Sequence, residues 1–246
     1  MIKEHGIDNI YVVHGITGYE ERERFLDDAL RGRFNLDFEF VTELADSGEN
    51  EKLFARYFVE NIRNILPKGA LYCTLIHILI YEKIVINGDR FAIVFENDIC
   101  FLGDTFVEKI GAVAREASQL KEGFLVSLEN STLRLPSWRE TKTGKLLYPA
   151  SRSRCAGAYM LDRKAAENML QRLKSEKCYE VIDWWHNSLI REGFIDMYWA
   201  HPPLTEQGSF NGKYVSSTSS RSNSHVRRVK WLCQKFLKTY VTRWFR

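Results

Sequence analysis

Apolar residues are arranged along the chain in two patterns, short continuous runs and longer stretches with helical spacing. The runs FAIVF at 91–95 and GFLVSL at 123–128 are typical of strands that are buried on both faces of a parallel sheet. The run NIYVVH at 9–14 predicts another buried strand. The spacing at 53–66 instead places its apolar residues on one face of a helix. By the same criteria, strands are predicted at 38–42 and 156–161, and helices at 70–86, 106–120, 164–174 and 181–191.

Because strands and helices alternate, the sequence predicts an α/β fold with a largely parallel sheet. The segment 129–153 is polar and irregular, and the sequence contains no internal repeat. With 246 residues, 45% of them hydrophobic, the chain can bury a core without disulfides or a structural metal. We therefore expect one domain at 1–214, followed at 215–246 by a Ser-rich linker and a basic amphipathic tail.

The chain has no Asp or Glu after Glu206, although its formal net charge is only +3. From 225 to 246, helical spacing gathers apolar residues into one stripe, and most of the Lys and Arg residues lie elsewhere on the helix. Such a helix favours the anionic inner face of a membrane, where each basic residue adds about 1 kcal/mol of binding. The stripe consists of Val229, Leu232, Cys233, Phe236, Tyr240 and Trp244, flanked by Leu237 and Val241.

Two alternatives for this tail stay open. It could dock on the domain with its basic face solvated, or it could bind nucleic acid. The low overall charge and the lack of a nucleic-acid-binding module disfavour nucleic acid as a partner.

The cysteines and the N-terminus bear on the compartment. The five cysteines are scattered, odd in number and without a C-x-x-C pair, which disfavours zinc ribbons and a secreted disulfide framework. Residues 1–15 contain acids and a His where a signal peptide has an apolar run. No stretch approaches the roughly 20 apolar residues of a membrane span. We therefore expect a cytoplasmic protein that is peripherally associated with the inner face of the cytoplasmic membrane.

Two carboxylates, Glu96 and Asp98, follow the buried strand 91–95 directly. The end of such a strand is the sheet edge where α/β proteins bind ligands. On an extended segment, residues two apart point the same way, so both carboxylates face one ligand and Asn97 points away. Their hard oxygens suit Mg²⁺ or Mn²⁺, and the ion in turn neutralises a leaving nucleotide diphosphate. The alternative is a pair of solvated acids at a strand end.

Further blocks accompany this acidic segment, in order, from about residue 9 to residue 210. They are the strand 11–14 followed by Arg22 and Arg24, the helix 69–77 with Cys73 and His77, the acidic block 94–98, the small-residue segment 156–161, the hydrophobic–Asp–aromatic step 181–185, and the segment 203–207 with Pro and Gln. Together they resemble glycosyltransferase family 25, the lipooligosaccharide galactosyltransferase family. The chain departs from that family's usual Asn at His14, Gly at Tyr72, Ser at Ile76 and Asp at Asn97.

The resemblance implies a GT-A-like, Rossmann-like nucleotide-sugar-binding domain. It implies an inverting transfer of a hexose, galactose above others, from a UDP-sugar to a lipid-linked lipooligosaccharide or lipopolysaccharide acceptor. It also implies Mn²⁺ or Mg²⁺ as cofactor. Two other functions stay open, a metal-dependent nucleotide or phosphodiester hydrolase that uses the same carboxylates, and a non-catalytic, membrane-associated glycan-binding protein.

The resemblance also assigns roles at the donor side. Asp98 would bind the metal, and Glu96 would contact the donor's ribose or the metal and its waters. The donor-binding residues would be His14, Arg22, Arg24 and His77, although either Arg could pair with nearby acids and His77 could be a hydrogen-bonded core residue. His201, in the loop before Pro202 and Pro203, would complete the metal shell or would have no role.

Inverting transfer needs a carboxylate that deprotonates the acceptor hydroxyl, and Asp183 is our candidate for this base. It precedes Trp184 and Trp185, whose flat faces suit a sugar ring. The alternative, compatible with this role, is that Asp183 caps a helix beginning at Trp184. Glu206 and Gln207 are expected beside the acceptor.

Overall fold

The computed structural model describes residues 2–15, 18–43, 47–130, 135–153, 155–214 and 224–244. Its centre is a seven-stranded sheet in the order β2-β1-β3-β7-β5-β8-β6, accompanied by a two-stranded ribbon of β4 and β9. The strands are β1 Ile7–Val13, β2 Glu39–Val41, β3 Phe91–Glu96, β4 Ile99–Phe101, β5 Phe124–Ser127, β6 Leu147–Ala150, β7 Ala158–Asp162, β8 Asp196–Ala200 and β9 Thr205–Gln207. The helices are α1 Glu20–Asp27, α2 Ser47–Tyr57, α3 Ile62–Ile65, α4 Lys68–Asn87, α5 Phe106–Ala117, α6 Arg163–Ser175, α7 Ile182–Arg191, α8 Gly208–Asn211 and α9 Ser224–Phe236.

The sheet is mostly parallel. β2, β1 and β3 pair in parallel, as do β5 and β8, whereas β7 and β6 run antiparallel to their neighbours. Five of the seven strands therefore point in one direction, and the predicted α/β class is confirmed.

The side chains of the central strands alternate between two apolar cores, one on each face of the sheet. On β1, Tyr11 and Val13 belong to the core beneath α4, α6 and α7, whereas Ile10 and Val12 belong to the core beneath α1 and α5. Because both faces are covered by helices, β1 and β3 are apolar without interruption, which is the pattern the sequence displays.

α4 is the helix at the centre of the first core. It follows Pro67 and ends at Gly88, whose φ of 72° is the left-handed conformation of a helix terminator. By length and composition α4 could cross a membrane, so the expectation that no segment approaches such a span was wrong. Half of its most apolar window is nevertheless buried inside the protein, as in the core helix of a globular domain.

The helix predicted at 53–66 is interrupted, because α2 ends at Tyr57 and α3 begins at Ile62. Between them the backbone of Phe58 forms a parallel bridge with Cys178, and the Val59 N–H donates to the Cys178 carbonyl at 3.1 Å. These long-range hydrogen bonds replace the helical ones.

The C-terminal helix α9 packs on the domain through one face. Trp231 is buried and stacks on Phe210 at 5.7 Å, and the Lys235 ammonium lies 2.6 Å from the Glu206 carboxylate. Beyond α9, the Arg243 guanidinium donates to the Pro136 carbonyl at 2.8 Å. The predicted apolar stripe lies on the other face and is exposed at Val229, Leu232, Phe236, Tyr240 and Trp244. The Ser-rich linker expected after residue 214 lies outside the described residues up to 223.

Candidate active site

A cavity of about 1080 Å³ opens where β1 and β3 end. Its floor is formed by the residues that follow these strands, and its walls by the starts of α4 and α7, the segment 207–210 and the inner face of α9. Ligands of parallel α/β sheets bind at this carboxyl edge. The expected location of the site is therefore where the structure has its large cavity.

Both predicted carboxylates line this cavity. One Asp98 oxygen, Oδ2, accepts from the Ser209 N–H at 3.2 Å, while Oδ1 is buried without a hydrogen-bond partner among the described residues. Glu96 is held by Gln207, whose side chain donates to Oε2 at 2.9 Å, and by the Cys73 thiol near Oε1. Burial raises the pKa of both carboxyls, and the charge of Glu96 raises the pKa of Asp98 further.

Asn97 does not point away from the cavity, contrary to the expectation from strand geometry. Residues 97 and 98 form a turn, so the alternation of an extended segment ends at Glu96. The Asn97 side chain accepts from Arg22 Nη1 at 2.8 Å, and its Nδ2 lies 3.3 Å from His14 Nδ1. His14, Arg22 and Asn97 therefore form one polar group on the cavity wall.

Of the two arginines considered for the donor, Arg22 lines the cavity and Arg24 does not. Residues two apart on a helix point roughly 200° apart, so α1 cannot present both to one side. The Arg22 guanidinium lies over the rings of Tyr19 and Tyr214, 4.9 and 5.1 Å from their centroids. Arg24 is exposed and donates to the Glu20 carbonyl within its own helix.

His77 lies beneath the cavity, fully buried, with Nε2 3.7 Å from Glu96 Oε1. Its Nδ1 is 2.7 Å from the Tyr159 hydroxyl, which contacts the Tyr81 hydroxyl, and that in turn contacts His186 Nε2. Burial lowers the pKa of His77 to about 3, so its imidazole is neutral. His77 is thus both a hydrogen-bonded core residue and a neighbour of Glu96.

Asp183 lines the cavity from the first turn of α7. The helix begins at Ile182 rather than at Trp184, so Asp183 lies inside the helix and the cap position belongs to Val181. Burial raises the pKa of its carboxyl, while the amide groups of Asp183 and Trp184 lower it.

Four other residues, predicted to contact the acceptor or the metal, do not line the cavity. Trp184 is largely exposed and is not among the residues that line the cavity, and Trp185 is buried against Tyr81. Glu206 is turned to Lys235 and Asn211, whereas its neighbour Gln207 lines the cavity. His201 is not among the lining residues and packs edge-on against Tyr148 at 6.1 Å.

Comparison with known proteins identifies the family of the chain. Residues 9–184 match the model of glycosyltransferase family 25 (LPS biosynthesis protein). The chain belongs to glycosyltransferase family 25.

Two individual proteins are similar to this glycosyltransferase. A protein of Haemophilus influenzae (strain ATCC 51907 / DSM 11121 / KW20 / Rd) named "Putative glycosyltransferase" is 25% identical over 202 residues, 79% of this chain and 67% of that protein. A crystal structure of a glycosyltransferase involved in the glycosylation of the major capsid of PBCV-1 covers 92% of this chain and 100% of that chain, with 11% identity and a TM-score of 0.39.

The structure places two further residues, Glu129 and Gly157, near Glu96 of this glycosyltransferase. Glu129, at the end of β5, is buried, and burial together with the charges of Glu96 and Asp98 raises the pKa of its carboxyl well above the ordinary value. The predicted strand 123–128 ends just before Glu129, and from that position the sequence suggests a place on the acceptor side without a specific role. Glu129 is not among the residues that line the cavity. Gly157 leaves no room for a side chain, because an added Cβ would lie 2.5 Å from Gln207 Nε2 and 2.7 Å from Glu129 Oε2.

The C-terminal helix of the glycosyltransferase forms a wall of the cavity that the sequence did not predict. Arg227, Lys230 and Trp231 line the cavity. Arg227 donates to the Ser209 carbonyl at 3.1 Å, and the Ser209 N–H donates to Asp98. One residue therefore connects the tail with the carboxylate on the floor.

Proposed function

We propose that this family 25 glycosyltransferase has a GT-A-like domain and transfers a hexose, galactose above others, from a UDP-sugar to a lipooligosaccharide or lipopolysaccharide acceptor with inversion. The observation that carries the proposal is the cavity at the carboxyl edge of β1 and β3, which is lined by Glu96 and Asp98 and also by the cations Arg22 and Lys230. Cations beside a carboxylate pair suit a diphosphate that arrives with a divalent ion.

The carboxylate oxygens of this cavity suit such an ion. Asp98 Oδ1 is a buried carboxylate oxygen that no other described residue engages, and Glu96 lies on the same floor. These two residues would hold Mn²⁺ or Mg²⁺, whose bound charge offsets that of the departing diphosphate. His201 lies away from the cavity lining, so a role for it in the metal shell has no support here.

On the acceptor side, Asp183 is the proposed base. Its burial raises the carboxyl pKa toward the pH of the reaction, which favours proton transfer from a hydroxyl. The exposed Trp184 ring beside it offers a stacking face for a sugar. Trp185 supports α7 from the core, and Glu206 is engaged by Lys235, so neither is proposed to touch the acceptor.

The tail is proposed to bind the anionic inner face of the cytoplasmic membrane. Its exposed stripe contains Val229, Leu232, Phe236 and Tyr240, with Arg228 exposed on the same helix. A stripe of apolar residues flanked by basic ones is suited to a lipid surface. A lipid-linked acceptor would reach the active site there.

The first test is a donor-hydrolysis screen with Mn²⁺ and a panel of nucleotide sugars, with released UDP measured. We expect release from one UDP-sugar, lost in EDTA and in Asp98→Ala, and retained in Asp104→Ala, whose carboxylate is mostly exposed. Asp183→Asn should bind UDP and fail to transfer. Mn²⁺ binding without UDP affinity would instead support the hydrolase, and sugar binding without turnover would support the glycan-binding protein.

A further inference from the structure

Three potential metal ligands lie together beneath the cavity floor. Cys73 and His77 are four residues apart on α4 and therefore share one face of the helix. Both meet Glu96 at the end of β3, with Cys73 Sγ and His77 Nε2 each 3.7 Å from Glu96 Oε1. All three ligand atoms lie within 4.8 Å of one another.

The His77 ring is oriented as in a metal ligand. Its Nδ1 contacts the Tyr159 hydroxyl, and the hydroxyls of Tyr159 and Tyr81 continue to His186 Nε2. If Nδ1 donates, each hydroxyl in turn donates to the next group, and the Nε2 lone pair is left facing Glu96. Nε2 is buried and has no hydrogen-bond partner in the described part of the chain. A metal-binding His typically donates its other ring N–H to a hydrogen-bond acceptor, and the Tyr159 hydroxyl can accept here.

The separations suit a tetrahedral ion. Zinc lies about 2.3 Å from a thiolate and about 2.0–2.2 Å from a His nitrogen or a carboxylate oxygen, so adjacent ligand atoms are about 3.4–3.6 Å apart. The two distances to Glu96 Oε1 are close to this range. Gln207 donates to the other Glu96 oxygen, which would hold the carboxylate in place.

We propose that Cys73, His77 and Glu96 bind Zn²⁺, with a fourth coordination position open to the cavity that Cys73 and Glu96 line. The Cys73 S–H bond breaks, its proton goes to solvent, and the sulfur binds the metal. Sulfur and imidazole ligands select Zn²⁺ over Mn²⁺ or Mg²⁺, which prefer oxygen. The zinc site is thus chemically distinct from the Mn²⁺ or Mg²⁺ site proposed at Asp98, although both sites use Glu96.

Because both sites use Glu96, Zn²⁺ binding should affect sugar transfer, an expectation that rests on the proposed function. Zn²⁺ on Glu96 removes a carboxylate that the Mn²⁺-bound donor needs. Micromolar Zn²⁺ therefore inhibits sugar transfer, and Cys73→Ser is less sensitive to it.

The test uses the full chain without nucleotide, with Co²⁺ as the coloured substitute for Zn²⁺. We expect one equivalent of Co²⁺ to give a thiolate-to-cobalt charge-transfer band in the near ultraviolet, which Zn²⁺ abolishes. Cys73→Ser should lose the band, and His77→Gln should weaken Co²⁺ affinity at least about tenfold. Cys233→Ser, which changes an exposed cysteine, and Asp98→Asn should keep the band.

Two results would overturn the proposal: no band in the wild type, or a band that survives in Cys73→Ser. Loss of the band in Asp98→Asn would overturn the separate site and assign the thiol to the Asp98 ion. Alkylation of the wild-type protein is a second measurement, which does not depend on the folding of any variant. Zn²⁺ should protect Cys73 from alkylation and leave Cys233 reactive. Since neither readout requires turnover, the outcome is separate from that of the donor screen.

Discussion

Gly157 shows how one missing side chain can organise a site. The space that its Cβ would occupy is filled by Gln207 and Glu129, and Gln207 in turn holds Glu96. Its backbone is not in the left-handed region, so the requirement for glycine comes from the close approach of its neighbours. The glycine therefore acts on Glu96 through Gln207.

We expect Gly157→Ala to displace Gln207 from Glu96 and to weaken UDP binding about tenfold, with a loss of stability of about 1–3 kcal/mol from overpacking. Calorimetric titration of UDP and urea unfolding measure the two effects. Gly32→Ala is the matched control, since nothing lies within 4 Å of its added Cβ. UDP affinity equal to that of wild type would show that Gln207 does not position Glu96.

Two buried histidines connect stability with pH. Burial lowers the pKa of His186 and of His77 from the ordinary 6.5 to about 3, and for His186 the neighbouring His77 lowers it further. The unfolded chain therefore takes up these protons first. Stability from the neutral imidazoles is present above about pH 6.5 and is lost as the pH falls from there toward 3.

His186→Gln removes one of these titrations. Its destabilisation relative to wild type should be about 1.4 kcal/mol smaller at about pH 5.5 than at about pH 7.5, because one pKa unit corresponds to about 1.4 kcal/mol. Urea unfolding at both pH values gives the difference, in which the buried carboxylates common to both proteins cancel. An unchanged gap for His186→Gln would mean that His186 is protonated in the folded state.

At the scale of elements, most of the strands that could be predicted need no partner to identify them, and the edge strand β2, predicted at 38–42, is the exception. β1, β3, β5 and β7 are almost wholly buried, so their apolar runs alone distinguish them. β6 and β8 are only partly buried, and their strand conformation depends on pairing with each other across about 50 residues of chain. The break after Tyr57 likewise depends on Cys178, which no local pattern reveals.

The tail helix illustrates the same limit. Its spacing identifies an apolar stripe, but the face that docks is the one that carries Trp231, Arg227 and Lys235, which contact Phe210, Ser209 and Glu206. The consequence is that the stripe remains available to a partner.

We expect the triple substitution of Val229, Leu232 and Phe236 by Ser to abolish binding to vesicles that contain anionic phosphatidylglycerol, with little change in stability because all three side chains are exposed. Vesicle co-sedimentation measures binding, and added salt should weaken it in the wild type. Ile86→Ser is the control, because Ile86 is 81% exposed on a different helix. Wild-type binding by the triple variant would refute the anchor, and it is a cleaner test than deletion of 225–246, which also removes a cavity wall.

At the scale of the molecule, the cavity gathers residues from Val13 to Gln234. The carboxylates, Arg22, His14 and Asp183 were predictable because each follows a buried strand or belongs to a recognisable block. Asn97 was placed wrongly because strand alternation was extended into a turn. Glu206 and Gln207 are adjacent on a short strand and diverge to opposite sides, so sequence proximity could not decide which of them lines the cavity.

The contribution of α9 to the cavity bears on how such enzymes diverge. The match to the family ends at residue 184, whereas the wall that carries Arg227, Lys230 and Trp231 follows later in the chain. α9 follows every strand of the sheet along the chain, so a change in this helix leaves the strand order intact. A graft of this helix from another protein would therefore exchange the cavity wall and the exposed apolar stripe together, because both belong to α9.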